Sequence, residues 1–344
     1  MTSSPDITTK NAKAPVAETP SSRDDLKLIQ FLSKIPWKVL WGTTRVCTRT
    51  ALGRWIWERY FPVAKRRRKF VSQLCDFLDL HSVARRGEIL RVYPNTLVET
   101  VMCQMARMTV DERSARFRVE GREILETELA AKRPVMLLGS HFGINRVLPL
   151  WIALEGIQLV SIEWRNKVRD MEIQVGDNLR VLEMQGAFRA RPTLEALRWL
   201  RDGGVVHMTG DNLRHDIEQS REFHWQGYRL TVPMGFAQIA IKARATVIPY
   251  FCQFDDLGVA QIRFLSPLQI PGDTDHPDPC VSVEREAILA EQFLQVLTRE
   301  FAKTPGDTLL NLGRQHSTLI SSRKRRRKTQ RAEGKREQSE PDSN

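Results

Sequence analysis

Hydrophobic and polar positions follow two rhythms along this chain. Between residues 26 and 61, "LKLIQFLSKIPWKVLWGTTRVCTRTALGRWIWERYF", apolar and aromatic residues recur among cations at helical intervals, and Pro36 and Gly42 predict at least one break. Further helices are predicted over about Val71 to Leu78, Ser82 to Arg91 and Tyr93 to Met108, and "RVEGREILETELAAKRP" reads as another helix that feeds a strand. From there short apolar runs alternate with helical ones. "PVMLLGS", "LVSIEWR", "VVHMTGD", "TVIPYFCQF" and "AQIRFLSPL" read as strands. "INRVLPLWIALEG", "RDMEIQVGDNLRVLEMQG", "ARPTLEALRWLRDGG", "VPMGFAQIAIKARA" and Val283 to Lys303 read as helices. Such alternation predicts the α/β class, a mixed sheet flanked by helices.

The ends of the chain differ from its middle. Residues 1–23 are rich in Ser, Thr, Pro and Ala and read as a disordered leader; residues 321–344 are polar and basic, without periodicity, and read as a flexible tail. Residues 24–68 form a candidate membrane-interface segment, leaving 69–320 as the α/β domain. In that segment Trp37, Trp41, Trp55 and Trp57 sit among six cations, with Glu58 the one acid after Phe31, and "AKRRRKF" adds five consecutive cations. Indoles settle at headgroup depth and cations meet anionic lipid, so a helix lying in the interface is one reading. A helical hairpin with its tryptophans packed on the domain is the other.

Composition narrows the partners. The net charge of +12 over 344 residues points to an anionic surface such as lipid headgroups, nucleic acid or an acidic carrier protein. No aromatic residue interleaves with the cations of the tail, so nucleic acid is not expected. The five cysteines, Cys47, Cys75, Cys103, Cys252 and Cys280, are scattered without a Cys-x-x-Cys, which predicts neither a zinc site nor a disulfide framework. No run reaches the ~18 apolar residues of a membrane span, and the start lacks the basic-then-apolar order of a secretory signal.

Candidate chemistry centres on "LLGSHFGINRV", Leu137 to Val147. A strand delivers Ser140 and His141 to the carboxyl edge of a sheet, where a helix begins and ligands of α/β folds bind. Gly143 admits a close backbone or a substrate. Downstream, Asp211 ends a strand after a glycine turn, where it either acts in a site or caps the turn. His207, two residues before Thr209, lacks a third and fourth ligand partner and reads as a core histidine, so no metal is expected.

The order of these pieces, with Arg165 after a strand, the Pro-x-Gly helix start at Pro233 and Gly235 and the strand "TVIPYF", resembles the bacterial lysophospholipid and lipid A acyltransferase superfamily. The secondary lauroyl and myristoyl acyltransferases of lipid A biosynthesis are its most similar branch, and the resemblance spans about Lys69 to Gly313. It implies a glycerolipid-acyltransferase-like fold and transfer of an acyl group from acyl carrier protein or coenzyme A, a co-substrate rather than a bound cofactor. The acceptor would be a hydroxyl of a membrane lipid, a lysophospholipid or lipid A precursor, at the cytoplasmic face of the bacterial inner membrane. His141 would be the general base, with Ser140, Gly143, Arg146 and Arg165 around the substrate. The family's histidine is followed after four residues by Asp or Glu; here that place holds Arg146, preceded by Asn145. Three arrangements are open. Asn145 orients the imidazole; or Glu163 or Asp211 reaches in from a neighbouring strand; or catalysis is lost and the fold only binds lipid or acyl carrier. Arg165 clamps a charged group or forms an ion pair with Glu163 or Glu155.

Overall fold

The computed structural model describes residues 23–60, 71–72, 75, 95–184, 190–211, 220–225, 228–270 and 279–307. The proposed leader and tail, the basic run at 64–70 and the helix expected over Ser82 to Arg91 lie outside these residues.

Three helices open the fold: α1 (Arg23–Leu32), α2 (Trp37–Arg49) and α3 (Ala51–Tyr60). The break at Pro36 is present, and Pro36 stands just before the first residue of α2, where the missing N–H costs nothing. The chain stays helical through Gly42 and breaks instead at Thr50, which is extended (φ −91°, ψ 151°). Next come α4 (Asn95–Met105), α5 (Val110–Arg116), β1 (Phe117–Glu120) and α6 (Arg122–Ala130). The segment read as one helix feeding a strand therefore contains an edge strand first, turned into α6 by Gly121 at φ +72°.

The α/β core follows: β2 (Val135–Gly139), α7 (Val147–Leu154), β3 (Leu159–Glu163), α8 (Lys167–Asp170), β4 (Leu179–Glu183), α9 (Ala190–Arg201) and β5 (Val205–Thr209). A hairpin of β6 (Ser220–Trp225) and β7 (Tyr228–Pro233) leads to α10 (Gly235–Ala243), β8 (Thr246–Phe254), β9 (Ala260–Phe264) and the long α11 (Pro279–Lys303). Seven strands form one sheet in the order β1-β9-β8-β2-β5-β3-β4, in which β8 and β9 are antiparallel and every other pair is parallel. The mixed sheet flanked by helices expected from the sequence is thus the fold.

Each face of the sheet carries its own core. Along β2, Met136 and Leu138 point to a layer with α9, α10 and α11, whereas Val135 and Leu137 point to a layer with α1, α2, α4 and α7. Strand β2 is buried at all five positions. Central strands sandwiched on both faces read as continuous apolar runs for this reason, and each such side chain stabilises the fold by roughly 1.5–3 kcal/mol.

Two sequence readings change. The stretch Arg169 to Gly186, expected as one helix, holds among its described residues the end of α8, a 3-10 turn at Gly176–Asn178 and edge strand β4; the helical path ends at Asp170, and Glu172 follows at φ +56°. Nor do the tryptophans act alike. Trp37 and Trp41 are buried, stacked at 5.6 Å, and packed on Phe254. Their indole N–H groups donate to the carbonyls of Gly258 (2.8 Å) and Asp256 (3.3 Å) in the turn between β8 and β9. The Arg116 guanidinium lies 4.6 Å over Trp37. For this pair the packed reading holds, while Trp55 is 68% exposed. Among the described residues no helix is long and apolar enough to cross a membrane.

Candidate active site

Strand β2 ends at Gly139 and β5 at Thr209, paired directly, and the Gly210 N–H donates to the Gly139 carbonyl at 2.9 Å. This register sets Ser140 and His141 beside Gly210 and Asp211, although 70 positions separate His141 from Asp211. The Asp211 carboxylate uses both oxygens: Oδ2 accepts the backbone N–H of His141 and Oδ1 lies 2.8 Å from His141 Nδ1, each contact 2.8 Å long. A carboxylate only accepts, so the Nδ1 contact places a proton on Nδ1 and leaves Nε2 as the basic nitrogen. The Asp211 side chain is 6% exposed and that of His141 15%. A buried acid therefore backs an imidazole that still meets solvent.

The turn after His141 is held from three sides. Phe142 stacks on Phe301 of α11 (5.7 Å) and meets Phe251 of β8 edge-on (5.3 Å). Gly143 has φ +53°, and a Cβ there would collide with the Cys252 carbonyl oxygen, which accepts the Ile144 N–H at 2.8 Å. Only glycine meets both constraints. The close approach expected at Gly143 is thus that of backbone, and its own N–H donates to the Asp307 carbonyl at 2.5 Å.

The other sequence candidates separate. Asn145 is buried, and of the residues offered for orienting the ring it is Asp211 that stands at His141 Nδ1. Ser140 is buried below the turn, its Oγ without a hydrogen-bond partner among the described residues. Arg146, at the entrance of α7, pairs with Glu99 of α4 at 3.4 Å, and Lys167 pairs with the same oxygen at 3.5 Å. Arg165, 34% exposed, pairs with Asp170 of α8 at 2.7 Å rather than with Glu163 or Glu155. Glu163 turns to Ser161, whose hydroxyl donates to it at 2.7 Å. Its carboxyl is pushed up chiefly by burial, while the Ser161 bond and the Arg146 charge pull it down and Glu183 pushes it further up. Glu99 was missed, although it is the one charged residue in the helix "NTLVETVMCQM", which was its signal.

His207 is buried, with Nδ1 2.7 Å from Ser161 Oγ and Nε2 2.7 Å from the Tyr250 hydroxyl. Burial lowers its pKa to about 3. Among the described residues no group of three or more His, Cys, Asp or Glu is placed to hold a metal.

A histidine backed by a carboxylate at the carboxyl edge of a largely parallel sheet can take a proton from a hydroxyl and return it to a leaving group. No individually curated protein matches the sequence. The family model for bacterial lipid A biosynthesis acyltransferases matches residues 82–295, more than half of the chain, with His141, Asp211, Arg146 and Arg165 inside the match. The chain belongs to the bacterial lipid A biosynthesis acyltransferase family.

Proposed function

We propose that the protein transfers an acyl group from an acyl thioester to a hydroxyl of a membrane lipid with His141 as general base and Asp211 as its acid. The observation that carries this reading is the double contact of Asp211 with His141. An acceptor hydroxyl is a poor nucleophile at neutral pH. Nε2 takes its proton as the oxygen attacks the thioester carbonyl, and Asp211 stabilises the imidazolium that forms. The tetrahedral oxyanion collapses, the C–S bond breaks, and the imidazolium returns the proton to the departing thiolate. No metal or bound cofactor enters the scheme.

The donor is an acyl carrier protein or coenzyme A thioester, both acidic and drawn by the positive field of a +12 chain. The acceptor is a lipid A precursor or lysophospholipid, and the site of action is the cytoplasmic face of the inner membrane. Attachment there is peripheral. Val39, Val46, Leu52, Trp55 and Ile56 are exposed on α2 and α3, near Lys38 and Arg59, also exposed. Exposed apolar side chains on helices that also carry exposed cations suit the interface of an anionic bilayer. Arg165 lies on the same sheet edge as His141 and is proposed to meet the charged part of the acceptor. The rival reading, a fold that binds lipid or carrier without catalysis, drew its force from Arg146 in the acid's place, and Asp211 answers that need.

Mass spectrometry of lipid extracts from the source cells carrying wild-type protein or His141→Ala tests the proposal. A lipid that gains one acyl chain with wild type alone supports it and names acceptor and chain. Identical lipid profiles with both proteins folded and present would sink it.

A further inference from the structure

Below the His141 turn a chain of polar side chains crosses the sheet from β3 to β8. Ser161 Oγ donates to Glu163 Oε1 at 2.7 Å and lies 2.7 Å from His207 Nδ1; His207 Nε2 is 2.7 Å from the Tyr250 hydroxyl. That hydroxyl is also 3.4 Å from the carbonyl oxygen of Asn145. Ser161, His207 and Tyr250 are all buried.

The direction of the chain follows from its proton count. Burial holds the His207 ring neutral, so one nitrogen donates and the other accepts. Ser161 gives its single proton to Glu163, hence Nδ1 of His207 donates to Ser161 and Nε2 accepts from Tyr250. The phenol stays protonated, since burial first, and then Cys252, Glu163 and Asp211, all raise its pKa well above the usual value. Its proton is shared with the Asn145 carbonyl as the longer arm of a three-centre bond.

Strand β2 lies between β5 and β8, so His207 and Tyr250 meet only by reaching across it. They do so over Gly139, where any Cβ would overlap the phenol hydroxyl. Buried polar chains are no more stable than apolar packing of the same volume, and they fix one arrangement of the groups they join. The groups joined here flank the site on both sides. His207 precedes Asp211 by four residues and Asn145 follows His141 by four.

We propose that Tyr250 and His207 are positioning residues for acyl transfer: the phenol ties the turn that carries His141 to the strand that delivers Asp211, and Ser161 with Glu163 fixes the His207 tautomer that accepts from it. The inference rests on the His141–Asp211 reading. Neither residue touches the reacting atoms; they act by holding two groups that must meet within a few tenths of an ångström, and a misplacement of 1 Å can cost about 100-fold in rate.

Tyr250→Phe keeps the ring and removes the hydroxyl. The expected result is a kcat about 10- to 100-fold lower with KM within about twofold, and a moved or lost proton NMR resonance for the His141 imidazole N–H, a signal identified by its absence in His141→Ala. Ser161→Ala, which leaves phenol and imidazole in place, should shift both readouts the same way by a smaller amount, and it decides the question should Tyr250→Phe fail to fold. A kcat within about twofold of wild type with an unmoved resonance, or a loss of activity that only matches the loss of folded protein, overturns the proposal. Should wild-type protein transfer no acyl group, the functional reading fails, while an unmoved resonance in Tyr250→Phe still overturns the positioning role.

Discussion

Asp211 grips His141 at two points, the ring through Oδ1 and the backbone N–H through Oδ2, both at 2.8 Å. One carboxylate therefore fixes the tautomer of the imidazole and the path of the chain that bears it. An acid at position 146 would orient the ring from the entrance of α7. An acid at the end of β5 orients it from the sheet.

Arg146 fills the acid's place in the sequence pattern and has a different set of partners. It pairs with Glu99 at 3.4 Å and its charge is felt by Glu163. Arg146→Glu would set a third carboxylate between these two, leaving Lys167 as the cation on Glu99. The expected outcome is a protein destabilised by about 1–3 kcal/mol with no gain in acyl transfer, checked by denaturant melts and by activity side by side. A gain in activity would assign the acid's role to position 146.

Gly143 carries a conformational demand and a steric one, φ +53° and the Cys252 carbonyl against its Cα. Gly143→Ala should cost about 1–3 kcal/mol or more, and transfer should fall further than stability does, because the turn shifts His141. Thermal melts and initial rates on the same preparation check this.

His207 gives the protein a signature in acid. Its folded pKa is about 3 because burial disfavours the imidazolium, against an ordinary value of 6.5. Between those values the unfolded chain binds a proton that the folded chain refuses, so stability is full above pH 6.5 and falls as pH drops toward 3. The slope contributed is about 1.4 kcal/mol per pH unit. His207→Gln should flatten the pH dependence of unfolding across that window relative to wild type, measured by denaturant melts from pH 7 to about 4.

The two kinds of tryptophan at the N-terminus should respond to different assays. Trp37→Ala removes a buried indole and its bond to Gly258, and should lower stability by about 3–5 kcal/mol. Trp55→Glu, on an exposed face, should leave the melting temperature within a few degrees and weaken binding to vesicles containing anionic lipid. Sedimentation with such vesicles distinguishes them; equal vesicle binding by Trp55→Glu and wild type would remove α3 from the membrane contact.

What could be read in the sequence follows from how far each signal reaches. The central strands were legible because burial on both faces makes "VMLLG" wholly apolar and leaves Thr246 and Gln253 as the polar positions of "TVIPYFCQF". Strand β4, "LRVLE", lies at the sheet edge, so its charged residues Arg180 and Glu183 blur the period of two and a helix fits as well. Hairpin β6–β7, "SREFHW" and "YRLTVP", pairs outside the main sheet and its polar content hid it. His141 was found through its own motif. Its acid was one of several open candidates, since only the β2–β5 register shows that Asp211 reaches Nδ1 while Glu163 turns to Ser161. Likewise the intervals of Trp37, Trp41 and Trp55 are helical alike, and only the packed turn at Gly258 tells which of them is covered.

The central claim is that Asp211 does the work assigned by the family pattern to position 146. The most direct test is the rate of acyl transfer to the identified lipid by purified Asp211→Asn protein, set beside wild type and Asn145→Ala. Asparagine keeps the shape and removes the charge that orients and stabilises the imidazolium, so kcat should fall by about 100- to 10,000-fold with KM little changed, and Asn145→Ala should stay far closer to wild type. A wild-type rate from folded Asp211→Asn protein would contradict the account.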